Sequence, residues 1–189
     1  MSPIRLIFKK SLLALATALL AAGLAASALA ETDFVTASSV YDDSYRAEFA
    51  LDGDLNTRWA SRGNAPFPAW LQIDLGSITS FDRMVIHWET AHATEYEIQI
   101  SDNGTAWKTF LRKTDGQAGK AELSGLAARG RYVRINAPKP KGYSHVSIWE
   151  VEFPEDHMAA ALASARQAAA EKRSRQMRET LARVTLSGA

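Results

Sequence analysis

Alternation of apolar and polar side chains dominates the middle of the chain. Leu71, Ile73 and Leu75 interleave with Gln72 and Asp74; Tyr96, Ile98 and Ile100 with Glu97 and Gln99; Trp149, Val151 and Phe153 with Glu150 and Glu152. A period of two buries one face of each segment and leaves the other to solvent, which is the pattern of half-buried strands. Further apolar segments at 82–88, 107–113, 121–126 and 131–135 are separated by breaks rich in glycine, asparagine or lysine. About eight short strands of this kind predict an all-β domain, a jelly roll or β-sandwich without helices in its core.

The two ends of the chain follow different patterns. From Glu155 to Leu186 there is no proline or glycine, and Ala163, Ala170, Met177 and Val184 recur every seven residues with Leu181 on the same side. That spacing predicts an added C-terminal α-helix with a thin stripe. Charges at Glu171, Lys172, Arg173 and Arg175 cross the stripe and argue against a long coiled coil. Glu155 or Asp156 near the start and Arg183 near the end complement the helix dipole. At the other end, Arg5, Lys9 and Lys10 precede an apolar run from Leu12 to Leu24, followed by Ala28-Leu29-Ala30, a pattern that signal peptidase reads. The expected organisation is a cleaved export signal at 1–30, a sandwich at 31–153 and the helix at 154–189. A retained membrane anchor is the alternative for the first segment, although the run is short for a spanning helix.

Composition narrows the chemistry only a little. With no cysteine there are no disulfides, so stability falls to packing and to any bound metal. The whole chain carries 22 basic and 21 acidic side chains; removal of the leader takes away three basic residues and no acid. A near-neutral chain with no obviously basic face is a poor match for a nucleic-acid backbone. The four histidines show neither a nucleophile motif nor zinc spacing, so the chain is expected not to be an enzyme.

The most specific stretch is Ala50-Leu51-Asp52-Gly53-Asp54-Leu55-Asn56-Thr57-Arg58-Trp59. Its oxygens, gathered into one tight turn, suit a hard cation such as calcium. Downstream come Trp70 to Gly76, Trp88-Glu89, Tyr96 to Gly104 with Trp107, Arg131 to Ile135, and Trp149-Glu150-Val151-Glu152. In this order the chain resembles the discoidin family, also called the factor V/VIII C-type domain, and within it the bacterial family 32 carbohydrate-binding modules, over about Phe34 to Phe153. The resemblance implies a calcium site built from the Phe49 carbonyl, Asp52, Asp54, Thr57, the Trp149 carbonyl and Glu150. The ion would be structural, stapling the closing strand to the opening loop. Asp54 offers either its carbonyl or its carboxylate. The alternative is a simple turn in which aspartate bonds its own backbone.

The resemblance also places a glycan or polysaccharide site among loops at one end of the sandwich. The candidates are Asp42 with its neighbours Tyr41 and Asp43, Arg58 and Arg62, Glu89 and His92, and Tyr143 with His145. Planar donors and acceptors match paired hydroxyls, and an aromatic ring covers the apolar face of a sugar. The stretch between Tyr143 and Glu150 is longer than the compact run common in such modules, which leaves pocket shape and sugar identity open. The five tryptophans are expected to be core packing rather than stacking platforms. Two readings result. One is an exported, calcium-stabilised, lectin-like binder; the other is an adaptor of an envelope or secreted assembly that docks a protein partner through the C-terminal helix.

Overall fold

The computed structural model describes residues 34–187, so the expected export signal at 1–30 lies outside the described residues. Nine strands are present among them: β1 (Val35–Ala37), β2 (Trp59–Ala60), β3 (Ala69–Phe81), β4 (Met84–Trp88), β5 (Ala93–Ser101), β6 (Lys108–Lys113), β7 (Gly119–Leu123), β8 (Ala128–Pro140) and β9 (Ser147–Glu152), followed by the helix α1 (Asp156–Ser187). They form a five-stranded sheet in the order β1-β3-β8-β5-β6 and a four-stranded sheet in the order β2-β9-β4-β7, with antiparallel pairings throughout. The strand count exceeds expectation because β1 and β2, of 3 and 2 residues, are too short to carry a period.

The inner faces are those the alternation predicts. Leu71, Ile73 and Leu75 of β3, Ile98 of β5, and Val133 and Ile135 of β8 are buried beneath Met84, Ile86 and Trp88 of β4 and Ile148 of β9. Trp88 meets Tyr96 across the sheets with ring centres 5.2 Å apart. Between Asp74 and Thr79 the β3–β8 register shifts. Asp74 pins that bulge: it accepts from the Gly76 amide at 2.8 Å and takes a two-pronged bond from Arg131, both prongs 2.8 Å.

Not all five tryptophans are core. Trp59 and Trp88 are buried, whereas Trp70, Trp107 and Trp149 are only half-buried. Trp70 and Trp107 flank the Arg134 guanidinium, 4.7 and 3.7 Å from its centre, on the open face of the larger sheet. An indole face attracts a cation as well as apolar surface, and composition alone does not separate the two uses.

Helix α1 also departs from expectation. Met158, Leu162 and Ala165 are buried, at the i, i+4, i+7 spacing of a docking face, while Ala163 and Ala170 of the expected stripe are exposed. A stripe of period seven names one line along the helix; the line that packs begins at Met158. Gly76, at φ +78 on the β3 bulge, permits this approach, because a Cβ there would lie 3.2 Å from the Ala165 Cβ. The helix entry is bonded as well: Glu155 accepts from the Asp82 and Arg83 amides at 2.7 and 2.9 Å, and His157 bonds the Ser80 carbonyl at 2.7 Å. One compact unit accordingly runs from Asp33 to Ala168, past the expected boundary at 153. The later turns of α1 belong to a second unit, and the last turn holds no basic residue, so Arg183 sits short of the dipole's end. No helix among the described residues is long and apolar enough to cross a membrane.

Met158 is fully buried, so Met158→Ala should lower unfolding free energy by about 2–3 kcal/mol in a denaturant titration. An unchanged midpoint would mean that the first turns of α1 add nothing to the sandwich.

Candidate functional site

Four connections converge at the end of the sandwich where β4 stops. Backbone bonds hold them together: Tyr41 N donates to Ala60 O, Ser61 N to Val146 O, Asn64 N to Ser144 O, Glu89 N and Ser147 N to the Ser147 and Ala91 carbonyls, and Lys141 N to His92 O. Asp42 caps the short turn Asp43–Tyr45, its carboxylate accepting from the Ser44 amide at 2.8 Å. That turn presents Tyr45 next to Tyr41, ring centres 5.8 Å apart.

The side chains on these loops form one continuous strip. Tyr143 lies 5.9 Å from His145, and His145 lies 5.6 Å from Tyr41. Tyr41 leads to Tyr45, whose ring is 4.5 Å from the Arg58 guanidinium; the same guanidinium is 4.8 Å from the Trp149 ring. Tyr41 and Tyr143 are about half exposed, at 52% and 45%, which leaves aromatic surface for a ligand. Glu89 borders the strip. Burial opposes its ionisation, but amide bonds from Ala91 and Thr90 and the charge of Arg58 outweigh it, so its carboxyl lies below the usual carboxylate range.

Of the residues singled out in the sequence, Arg58, Glu89, Tyr143, His145 and Asp42 reach this end. His92 is there too but is 7% exposed, and its Nδ1 bonds the Thr90 carbonyl at 3.0 Å; its ring secures the loop. Sequence reasoning missed Tyr45 and assigned Trp149 to the core. The available signal was Asp42-Asp43-Ser44, a capped turn that fixes where the following tyrosine points. Two cavities of about 510 and 550 Å³ lie instead around Arg129, next to Asp102 and Phe110 and next to Asp82 and His157. They sit by the start of β4, at the opposite end from Glu89.

The acidic loop leads directly into Arg58. Asp52 Oδ1 accepts from the Asp54 amide at 3.0 Å and Oδ2 from the Thr57 hydroxyl at 2.7 Å. The Asp54 carboxylate is turned to Asn56, which donates from its amide and its side chain at 2.9 and 2.7 Å. Glu150 reaches across from β9 and accepts from the Gly53 amide at 3.0 Å. At one irregular step of β9, Trp149 packs on Arg58 while Glu150 reaches this loop.

The donor set fits a hard cation in chemistry. Asp52, Thr57 and Glu150 offer oxygens, and the β4–β9 register skips Trp149, a bulge that frees its backbone from the ladder. Glu150 is buried, and that burial pushes its carboxyl up to about 7; the Gly53 amide and Arg166 pull it down, while the charges of Asp52 and Glu152 push it further up. The desolvated Glu150 carboxylate thus stands near the exposed Asp52 carboxylate, whose charge it feels. No group of three or more acidic or histidine side chains converges for a metal among the described residues, so a cation here would lean on carbonyls and on Thr57. Asp54 is engaged at both candidate donors: Asn56 holds its Oδ1, and its carbonyl accepts from the Thr57 amide and hydroxyl at 3.2 and 3.0 Å.

The family model for the F5/8 type C domain matches residues 34–151. The chain belongs to the F5/8 type C domain family. It is similar to chitosan-binding module 1 of a chitosanase/glucanase from Paenibacillus sp. IK-5, with 35% identity, TM-score 0.59, and coverage of 66% of this chain and 96% of that one. It is likewise similar to chitosan-binding module 2 of that enzyme, solved in complex with chitotriose, with 32% identity, TM-score 0.59, and coverage of 66% and 97%. The family 32 carbohydrate-binding module of NanJ from C. perfringens, solved with galactose, shares the fold at 22% identity and TM-score 0.56, over 62% of this chain and 89% of that one. No curated protein matches the chain.

The raised value for Glu150 makes a signed prediction. Between the ordinary 4.5 and about 7, the folded chain keeps a proton that the unfolded chain has lost, so stability falls as pH rises through that window. In chelator, the melting temperature should drop across this range, and Glu150→Gln should remove the drop. A flat profile in the unmodified chain would show that Glu150 ionises without penalty.

Proposed function

We propose that this chain is a non-catalytic carbohydrate-binding module, exported from the cell, that holds a glycan against the strip formed by Tyr41, Tyr45, Arg58, Glu89, Tyr143 and His145. The observation that carries this reading is the strip's continuity: the exposed rings of Tyr41 and Tyr143 run through His145 and Tyr45 to a guanidinium whose own position is fixed by Tyr45 and Trp149. Rings cover the apolar faces of pyranoses, and Arg58 and Glu89 supply a donor and an acceptor for hydroxyls. An ionised Glu89 would also take the ammonium of an amino sugar. Relatives described as chitosan-binding modules share about a third of their residues with this chain, so glucosamine oligomers are the first ligands to test.

Calcium is part of the proposal, held as a structural ion by Asp52, Thr57 and Glu150 with the carbonyls of Phe49, Asp54 and Trp149. When bound, it would supply the positive charge that Glu150 and Asp52 lack. The role of the chain's own residues is to fix the loop, and through it Arg58, at the base of the strip. The adaptor reading drew on a C-terminal helix without a task; its first turns are already packed on the sandwich.

Titration with chitotriose tests the site. Arg58→Ala and Tyr143→Ala should each weaken binding by about tenfold or more, roughly 1.4 kcal/mol, with melting temperatures close to the unmodified chain. Normal binding by both folded variants would remove the strip as the site.

A further inference from the structure

Helix α1 lies beyond the stretch matched by the family, residues 34–151, yet it reaches the loop on which the family's fold closes. Arg166, one position after the buried Ala165, donates through a terminal nitrogen to the Leu51 carbonyl, the peptide that leads directly into Asp52. Its guanidinium also lies 5.4 Å from the Phe34 ring, a second contact that holds it on this side of the sandwich. The positive charge of Arg166 acts on the Glu150 carboxylate, and Glu150 is itself bonded to the Gly53 amide of the same loop. Docking of Met158, Leu162 and Ala165 therefore delivers a fixed cation to the edge of the oxygen cluster.

We propose that Arg166 is the residue through which α1 sets the calcium affinity of the Asp52–Thr57 loop, because the docked guanidinium and the metal draw on the same negative charge and each weakens the other. The inference rests on the calcium reading above. A guanidinium bonded to the Leu51 carbonyl and a calcium ion held at the adjoining Asp52 would repel, and the coupling is reciprocal: whatever factor α1 docking takes from calcium binding, calcium takes from α1 docking. The helix thereby serves as an internal counter-charge that steadies the loop at low calcium and yields at high calcium. Arg166 is a positioning residue here; it acts on the ion through Glu150 and the Leu51 peptide.

Equilibrium dialysis of calcium against the full chain and the variants Arg166→Gln and Arg166→Lys tests the coupling. Arg166→Gln should bind calcium about tenfold more tightly, within the usual range of such couplings, while Arg166→Lys, which keeps the charge, should stay close to the unmodified chain. In the unmodified chain, saturating calcium should speed tryptic cleavage after Arg166 severalfold, a readout that needs no variant. Equal affinities in all three chains, or cleavage indifferent to calcium while calcium is bound, would overturn the coupling alone. Absence of bound calcium from all three would overturn the calcium reading and the coupling with it.

Discussion

The bond from the Gly53 amide to the buried Glu150 carboxylate joins residues 97 apart in sequence, and the loop end of the molecule is organised around it. Without that closure, the acidic loop would be tied to the rest only at its own two ends. With it, the last strand holds the loop through Glu150 and Arg58 through Trp149. A carboxylate taken out of water is costly unless matched by donors or positive charge. The site therefore has reason to recruit a cation: the guanidinium of Arg166 acts on it, and the proposed calcium would be a second.

The proposed site separates support from recognition. Of the acids that look most reactive in the sequence, Glu150 makes the closure and Asp52 and Asp54 fix the loop by bonds within it. Residues with aromatic or donor surface to spare, Tyr41, Tyr143 and Arg58, face solvent. Helix α1 joins the supporting side: the glycine at position 76 lets Ala165 approach the β3 bulge, and that approach in turn carries Arg166 to the Leu51 carbonyl. An exchange of charge at the support would be felt at Arg58 through the short segment from Asp52 to Trp59.

The legible parts of the fold were those with a repeat to read. Strands β3 and β5 alternate cleanly, and the pairing of a glycine-bent acidic loop with a distant tryptophan–glutamate step located the closure. Strands β1 and β2 are too short for any period and exist because neighbours pair with them. The docking face of α1 escaped notice because a stripe spaced by seven ran along the same helix, and nothing local marks Met158, Leu162 and Ala165 as the face a sandwich would cover. At the site, Arg58, Glu89 and Tyr143 were visible as loop residues of suitable chemistry. Tyr45 and the ring of Trp149 were not, because their roles arise from stacking on a guanidinium, a contact made across a loop by Tyr45 and across most of the domain's sequence by Trp149.

The central claim is that glycan meets this chain on the ring-and-guanidinium strip. Backbone and side-chain NMR shifts of the calcium-loaded full chain, followed during titration with chitotriose, address it most directly. The account predicts saturable shifts confined to Tyr41, Tyr45, Arg58, Glu89, Tyr143 and His145 and their loop neighbours. Shifts centred instead on Asp102, Phe110 and Arg129, at the opposite end of the sandwich, would contradict it.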